Sequence, residues 1–197
     1  MHYAELKRAR DELTGPGADF EIVEADVLGN RIRTWKNAPP SVREVWLATR
    51  EFADRDYLAY HDETLTYAET HALTASVANW LFAQGVRPGD RVAIAMRNYP
   101  EWVTAFAAIT SVGAIAVSVN AWWTTDELNY GLKDSGSKVL ICDEDRMRRA
   151  ATVIGPLGVQ GVVVRCEKPE PGFDRLEEVI ELGKALPEVE ISLDDDA

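Results

Sequence analysis

Two short stretches carry the side chains best suited to bind a ligand. Residues Asn120–Trp123 (Asn-Ala-Trp-Trp) follow an apolar run that ends at Val119, and Arg146, Arg148 and Arg149 lie just after the next apolar run along the chain. Indole rings can stack on a planar ligand, and guanidinium groups can clamp a phosphate. Open α/β sheets bind ligands at the carboxyl ends of their strands, which is where both stretches would lie. The alternatives are that the tryptophans pack against another domain and that the arginines form the solvated face of a helix.

Side chains for several common reactions are missing from the sequence. The glycines of residues 155–161 lack the Lys-Ser/Thr of a Walker phosphate loop, and no Gly-x-Gly-x-x-Gly follows a strand-like run. Ser135 lacks the Gly-x-Ser-x-Gly frame of a nucleophile elbow. The three histidines have no metal-ligand spacing, and the aspartates at 194–196 are typical of a solvated tail. The sequence therefore predicts no catalytic and no metal-binding residue within the chain.

The elements that must position the two stretches form a β-α-β-α-β pattern. Three apolar runs without polar alternation are typical of parallel strands buried on both faces: Arg91–Met96, Ala114–Val119 and Lys138–Cys142. Two helical patterns connect them, Pro100–Val112 and Asp126–Lys133. Because such crossovers share one hand, the helices must pack on the sheet. The prediction is an α/β fold, a mainly parallel, flavodoxin-like sheet with helices on both faces, plus an N-terminal helix or arm and a small hairpin.

Patterns on both sides of this unit extend it. The spacing Ser/Thr/Asn-x-x-Glu predicts capping boxes, and hence helix N-termini, at Ser41, Thr66, Asn98 and Thr124. Before the unit we predict, in chain order, a helix at 1–14, an irregular arm or hairpin at 20–35, a helix at 42–53, a short hairpin at 57–67 and a helix at 68–84. After it we predict a helix at 146–154, a strand-like run at 161–166, a helix at 173–182 and a last short apolar run at 191–193.

Composition limits the class of protein. The 33 acidic and 21 basic residues give a formal net charge of −12, and no basic stripe is present, so we exclude nucleic acid as a partner. Residues 167–197 hold 11 acidic and 3 basic side chains and so concentrate the negative charge. Cys142 and Cys166 each end an apolar run, which indicates buried, reduced thiols. Because the sequence has no membrane-spanning run and no signal-peptide core, we predict a cytoplasmic protein.

Several short motifs follow one another in an order that is specific as a set. They are Leu-Thr-Tyr-Ala-Glu at 65–69, Gly-Val-Arg-Pro-Gly-Asp-Arg-Val-Ala at 85–93, Arg-Asn-Tyr-Pro-Glu-Trp at 97–102, Gly-Ala at 113–114 followed by Val-Asn at 119–120, Thr-x-Glu-Leu at 125–128 and Asp-Ser-Gly-Ser-Lys-Val-Leu at 134–140. The set spans about Pro39 to Cys166. It resembles the N-terminal portion of the adenylate-forming (AMP-binding) enzymes, and most of all the bacterial fatty-acid and related carboxylate CoA ligases, which are acyl-CoA synthetases.

The resemblance implies a reaction in two steps. A carboxylate would attack the α-phosphate of Mg·ATP to give an acyl-adenylate and pyrophosphate, and the CoA thiol would then displace AMP. The implied cofactors are ATP, Mg²⁺ and coenzyme A, and the implied substrate is a fatty or otherwise apolar carboxylic acid. In the family a few aspartates, like those at 194–196, lead into the phosphate-binding loop. We therefore expect this chain to be cut just before the catalytic half, to bind no cofactor of its own and to be inactive alone.

The resemblance also implies one set of binding residues. In acetyl-CoA synthetases a loop that aligns with Asn120–Trp123, and an arginine that aligns near Arg148, contact the adenine and phosphate end of CoA. Trp122, Trp123 and Arg148 are therefore the candidate residues at the edge of a CoA site. This sequence departs from that group because the two tryptophans stand where it has glycines, so the pocket is expected to differ or to be absent.

The expected organisation has three parts: an N-terminal helix and arm at 1–38, an α/β subdomain at 39–193 and an acidic tail at 194–197. Two other functions stay open from the sequence. One is an acyl adenylase that loads a carrier protein instead of CoA, and the other is a stand-alone flavodoxin-like module that binds a nucleotide or a protein partner. In the resembled family a second subdomain covers this sheet. We therefore expect the isolated chain to self-associate through exposed apolar surface, with Trp122 and Trp123 contributing.

Overall fold

The computed structural model of the protein describes residues 3–192 and 195–197. The described residues form two compact units, one made by residues 3–41 with Ser192 and the other by Val42–Ile191 with residues 195–197. Four residues of the predicted elements lie outside the described ranges: Met1, His2, Leu193 and Asp194.

The first unit contains one helix and one hairpin. Helix α1 spans Tyr3–Thr14, and strands β1 (Ile22–Val27) and β2 (Asn30–Trp35) pair antiparallel. Leu28 and Gly29 both take positive φ angles, as a two-residue turn between twisted strands requires. The sequence predicted either an irregular arm or a hairpin at 20–35, and the structure has a hairpin.

The second unit begins with short elements that lead into a long helix. In chain order they are α2 (Val42–Ala48), a 3₁₀ turn (Thr49–Phe52), the antiparallel pair β3 (Asp56–Tyr60) and β4 (Glu63–Thr66), and α3 (Tyr67–Ala83). The predicted helix at 42–53 therefore changes to 3₁₀ geometry over its last turn, which is common at helix ends.

A five-stranded parallel sheet forms the centre of the second unit. Its strands are β5 (Arg91–Ala95), β6 (Ile115–Ser118), β7 (Val139–Asp143), β8 (Gln160–Val164) and β9 (Phe173–Arg175), in the order β6-β5-β7-β8-β9. The connecting and following helices are α4 (Pro100–Ser111), α5 (Thr125–Ser135), α6 (Glu144–Ala150), α7 (Ile154–Leu157) and α8 (Leu176–Val179). The predicted α/β class, parallel sheet and small hairpin are confirmed.

Side-chain alternation along the strands divides the core between the two faces of the sheet. Val92 and Ile94 of β5 are buried with residues of α3 and α4. Ala93 and Ala95 of the same strand are buried with residues of α5 and α6. Since both faces are covered, the strands carry continuous apolar runs, which is the pattern that revealed them in the sequence.

Two predictions about local structure are wrong. Asn98 does not cap α4: the N-cap residue is Tyr99, without a side-chain cap bond, because Pro100 occupies the first helical position. Glu101, the partner expected for that cap, instead accepts hydrogen bonds from Arg165. The helix predicted at 173–182 is the edge strand β9 followed by the single turn α8, because the buried ring of Phe173 packs against Gly161 of β8.

Arg165 fastens the small hairpin to the sheet. Its guanidinium donates to both carboxylate oxygens of Glu63 at 2.9 and 2.7 Å, and its Nε donates to Glu101 at 2.9 Å. The rings of Tyr60 and Tyr99 lie 5.1 and 4.9 Å from the guanidinium carbon. The two carboxylates raise the pKa of Arg165. One side chain at the carboxyl end of β8 thus joins elements that are about a hundred residues apart.

His71 lies in an aromatic cluster next to Trp46, and its two ring nitrogens differ. The two rings stack with centroids 4.0 Å apart. Thr49 Oγ1 donates to the Trp46 carbonyl and lies 3.0 Å from His71 Nε2, so Nε2 carries the proton and donates to the hydroxyl. Nδ1 is buried without a hydrogen-bond partner among the described residues. Burial, with the nearby charge of Arg50, lowers the pKa of His71.

This arrangement predicts that the protein loses stability as His71 is protonated. The unfolded chain takes up the proton near the ordinary histidine pKa of about 6.5, before the folded protein does. The His71 contribution to the free energy of unfolding is therefore complete above that pH and is lost as the pH falls from there through the lowered pKa. Urea unfolding between pH 5 and 7.5 measures this loss. His71→Phe should remove it, and the exposed His61→Asn should keep it. Equal pH profiles for all three proteins would contradict the prediction.

Candidate functional site

Three neighbouring strand ends meet at one edge of the sheet. Arg97 follows β5, the loop Asn120–Trp123 follows β6, and Asp143 ends β7. In the strand order, β5 lies between β6 and β7, so the chain reverses its direction across the sheet at this point. Open α/β sheets bind ligands at such a reversal, outside the carboxyl ends of the strands.

A buried ion pair occupies this edge. Arg146 Nη1 lies 3.0 and 3.2 Å from the two carboxylate oxygens of Asp143, and the two side chains are 1% and 5% exposed. Asp143 also caps α6, since its carboxylate accepts from the Arg146 amide. The predicted alternative of a solvated arginine face is therefore wrong for Arg146, whose guanidinium is inside the protein.

The same residues hold the loop after β6. Arg146 Nε donates to the carbonyl of Ala121 at 2.6 Å, and Arg149 Nη1 donates to the carbonyl of Trp123 at 2.9 Å. Within the loop, the Trp122 amide donates to the side-chain oxygen of Asn120 at 2.9 Å. The backbone of the loop is thus fixed at three successive residues.

Of the two tryptophans, Trp123 packs against the rest of the protein. Its ring lies on the backbone of Gly131, where a Cβ atom would come within 2.4 Å of the ring. The next residue, Thr124, caps α5, with both halves of the predicted capping box formed with Glu127. Trp123 therefore packs the loop onto α5 of the same unit, whereas the alternative considered from the sequence was packing against another domain.

Trp122 is exposed beside two arginines. The side chain is 74% exposed. The guanidinium carbons of Arg97 and Arg146 lie 5.7 and 6.0 Å from its ring, within the range of cation–π attraction. Arg148 is also exposed, on the surface of α6, where it pairs with Glu144 at 2.5 Å. Of the three residues taken from the resemblance, Trp122 and Arg148 are thus open to solvent and Trp123 is largely committed to packing.

The sequence did not reveal two cavities near Arg165. One, of about 350 Å³, is mostly apolar and has Glu101, Arg165 and Glu177 among its lining. The other, of about 340 Å³, is lined in part by Tyr60 and Tyr99, the rings that contact Arg165. One feature of the sequence could have indicated them: the charged Arg165 interrupts the apolar run at 161–166 just after β8 ends at Val164.

Neither a metal-binding cluster nor a membrane-spanning helix occurs among residues 3–192 and 195–197. No group of three or more His, Cys, Asp or Glu side chains in this part of the chain is placed to hold a metal ion. None of its helices is both long enough and apolar enough to cross a bilayer. Cys142 and Cys166 are buried, unpaired thiols, as predicted, and burial raises the pKa of Cys142.

The parallel sheet, with its loops at the reversal of strand order, defines a protein of the open α/β class. Comparison with known proteins makes this specific. The family model of the AMP-binding enzymes matches residues 45–196, and the chain belongs to this family. The resemblance predicted from the sequence motifs is confirmed.

Similar proteins are acid:CoA ligases. The chain is 30% identical over 109 residues to 4-coumarate–CoA ligase 3 of Arabidopsis thaliana, covering 55% of this chain and 19% of the relative. It is 41% identical over 80 residues to the long-chain-fatty-acid–CoA ligase FadD13 of Mycobacterium tuberculosis, covering 41% and 16%. Among solved structures, the anthranilate CoA ligase AuaEII in complex with anthranoyl-AMP superposes with a TM-score of 0.67 at 26% identity, covering 72% of this chain and 28% of that one.

Each match covers a much larger share of this chain than of the protein it matches. The chain spans less than a fifth of the two curated relatives and just over a quarter of the solved structure. The acids in the three names also differ: 4-coumarate, a long-chain fatty acid and anthranilate. The comparisons therefore support an acid:CoA ligase family and no particular acid.

Proposed function

We propose that this chain is the N-terminal portion of an ATP-dependent acid:CoA ligase that converts an apolar carboxylic acid to its CoA thioester through an acyl-adenylate. The observation that carries the proposal is the match of residues 45–196 to the AMP-binding family, with CoA ligases among the similar proteins on both the sequence and the structure side. A fatty acid is one member of the proposed substrate class, supported by the similarity to FadD13. ATP, Mg²⁺ and CoA are the cofactors of the proposed reaction.

Within this function, the chain contributes a binding surface. Its proposed members are the exposed side chains of Trp122 and Arg148, and Trp123 packs the loop that carries Trp122 onto α5. An exposed indole offers a face on which an adenine can stack, and a guanidinium offers paired donors to a phosphate. Arg148 can turn from Glu144 to such a phosphate, because exposed ion pairs of this kind contribute little to stability. We place the adenine and phosphate end of CoA here.

Arg148→Ala in the full-length enzyme should raise the KM for CoA. The loss of a charged hydrogen bond to phosphate corresponds to about 1.5–3 kcal/mol, or about ten- to a hundred-fold in binding. The rate of acid-dependent ATP–pyrophosphate exchange should be unchanged, because CoA is absent from that half-reaction. Arg8→Ala is a matched control, since Arg8 also forms an exposed helical pair four residues from a glutamate, Glu12. An unchanged KM for CoA would mean that Arg148 is only part of a solvated helix face.

The same assays separate the two alternatives. A carrier-protein adenylase would show pyrophosphate exchange without transfer of the acyl group to CoA. A stand-alone nucleotide-binding module would show no exchange when the acid is added to the parent protein. That this chain alone is inactive, and that it self-associates through exposed apolar surface, both stay predictions, which an exchange assay and light scattering of the isolated chain can check.

A further inference from the structure

We infer that the buried Asp143–Arg146 pair is the positioning device of the Trp122 surface, an inference that rests on the proposed function. The pair joins all three strand ends at this edge of the sheet. Asp143 belongs to β7 and accepts from the amide of Arg97 after β5 at 3.1 Å. Arg146 donates to the carbonyl of Ala121 after β6. No other pair of side chains in the described part of the chain was found to link these three ends.

A contribution to the stability of the fold does not by itself explain why these two charged residues are buried here. Burying two charges costs desolvation free energy, and well-packed apolar side chains of similar size often replace such pairs without loss. Arg146 Nη2, moreover, is buried and has no hydrogen-bond partner among the described residues. An apolar replacement cannot form directional hydrogen bonds. The planar guanidinium of Arg146 donates to Asp143 and to the Ala121 carbonyl at once, with fixed angles between these bonds.

The anchoring of the loop determines the position of one exposed side chain, that of Trp122. The loop backbone is anchored at Ala121 by Arg146 and at Trp123 by Arg149. The Trp122 side chain between these anchors is left in solvent, with the guanidinium of Arg146 near its ring. The orientation of the exposed indole is therefore set in part from inside the protein, by Arg146, whose side chain is 1% exposed.

The test uses the double variant Asp143→Asn with Arg146→Met. Asparagine keeps an oxygen to cap α6, and methionine fills the space without leaving an unpaired charge. The chain is labelled with 5-fluorotryptophan, and Trp122→Phe identifies the Trp122 signal in the ¹⁹F spectrum. We expect cooperative unfolding to persist, the Trp122 signal to shift and narrow as the ring gains freedom, and the signal of the buried Trp80 to stay in place. Arg8→Met, which removes an exposed arginine outside the proposed binding surface, should leave the Trp122 signal unchanged.

If the double variant does not fold, Arg146→Lys gives the same test, because lysine keeps a charge beside Asp143 but lacks the fork that also reaches Ala121. A Trp122 signal that stays unchanged in a folded variant overturns the inference.

The full-length enzyme separates this inference from the proposed function. If both hold, the double variant raises the KM for CoA as Arg148→Ala does, without altering pyrophosphate exchange. A raised KM in Arg148→Ala alone overturns the positioning role and leaves the CoA surface standing. A moved Trp122 signal with an unchanged KM in both variants overturns the CoA surface and supports the positioning of the loop.

Discussion

Arg146→Met as a single substitution is expected to lower the free energy of unfolding by about 3–5 kcal/mol. The substitution leaves the Asp143 carboxylate buried at 5% exposure without its counter-charge, and it also leaves the Ala121 carbonyl without the Arg146 donor. Chemical denaturation, followed by circular dichroism, measures the loss. For a protein of ordinary stability, a loss of this size removes a large part of the total.

Two controls sharpen this result. Arg148→Met on the same short helix removes an exposed ion pair and should change the free energy of unfolding by no more than about 0.5 kcal/mol. Adding Asp143→Asn to Arg146→Met should restore much of the loss, because the unpaired charge is gone. If the single and double variants were equally unstable, the cost would come from the packing of Arg146 and the ion pair would be energetically unimportant.

Gly161→Ala is the second substitution with a large expected effect, a loss of about 1–3 kcal/mol. A Cβ atom at this position of β8 would lie 2.4 and 2.5 Å from the ring of Phe173 and 2.9 Å from Ile154. The ring is 5% exposed and forms part of the core, so it cannot move aside without opening a gap. Thermal and urea unfolding should both show the loss.

A glycine a few residues away provides the control. Gly155 has no atom within 4 Å of the place where its Cβ would be, and its φ is not positive. Gly155→Ala should therefore be neutral, or stabilising by up to about 1 kcal/mol, because alanine restricts the unfolded chain. A smaller side chain at position 173 should relieve the clash in Gly161→Ala, so Phe173→Leu combined with it should cost less than the two separate losses added together. Simple additivity would mean that the two positions do not interact as the distances indicate.

Four of the five strands of the central sheet, β5 to β8, could be predicted because each is a short apolar run, and helix patterns connect the first three of them. The fifth, β9 (Phe173–Arg175), is not an apolar run and was predicted as part of a helix. Capping boxes at Thr66 and Thr124 were equally readable and form as expected. The capping box predicted at Asn98 does not form, because Pro100 occupies the first helical position and the N-cap is therefore Tyr99. The preference of proline for this position decides where the helix begins, and the Asn98–Glu101 spacing does not.

The site was predictable only in part, for a physical reason. The positions of Trp122 and Arg148 followed from the ends of apolar runs. The distinction among Arg146, Arg148 and Arg149 did not, because it depends on which face of a seven-residue helix meets the sheet. Charge in a sequence favours exposure, yet Arg146 is buried because Asp143, three residues earlier, lies at the end of the neighbouring strand and offers a partner inside.

The order of strands in the sheet has a consequence for synthesis on the ribosome. β5 emerges first among the five strands, β6 then adds to one side of it, and β7, β8 and β9 add in turn on the other side. Every strand therefore joins the edge of what already exists, and none has to be inserted between two strands that are already paired. A chain that emerges at about 5–20 residues per second can in this way form its sheet outward as it is made, with each new strand pairing with an open edge of the strands already formed.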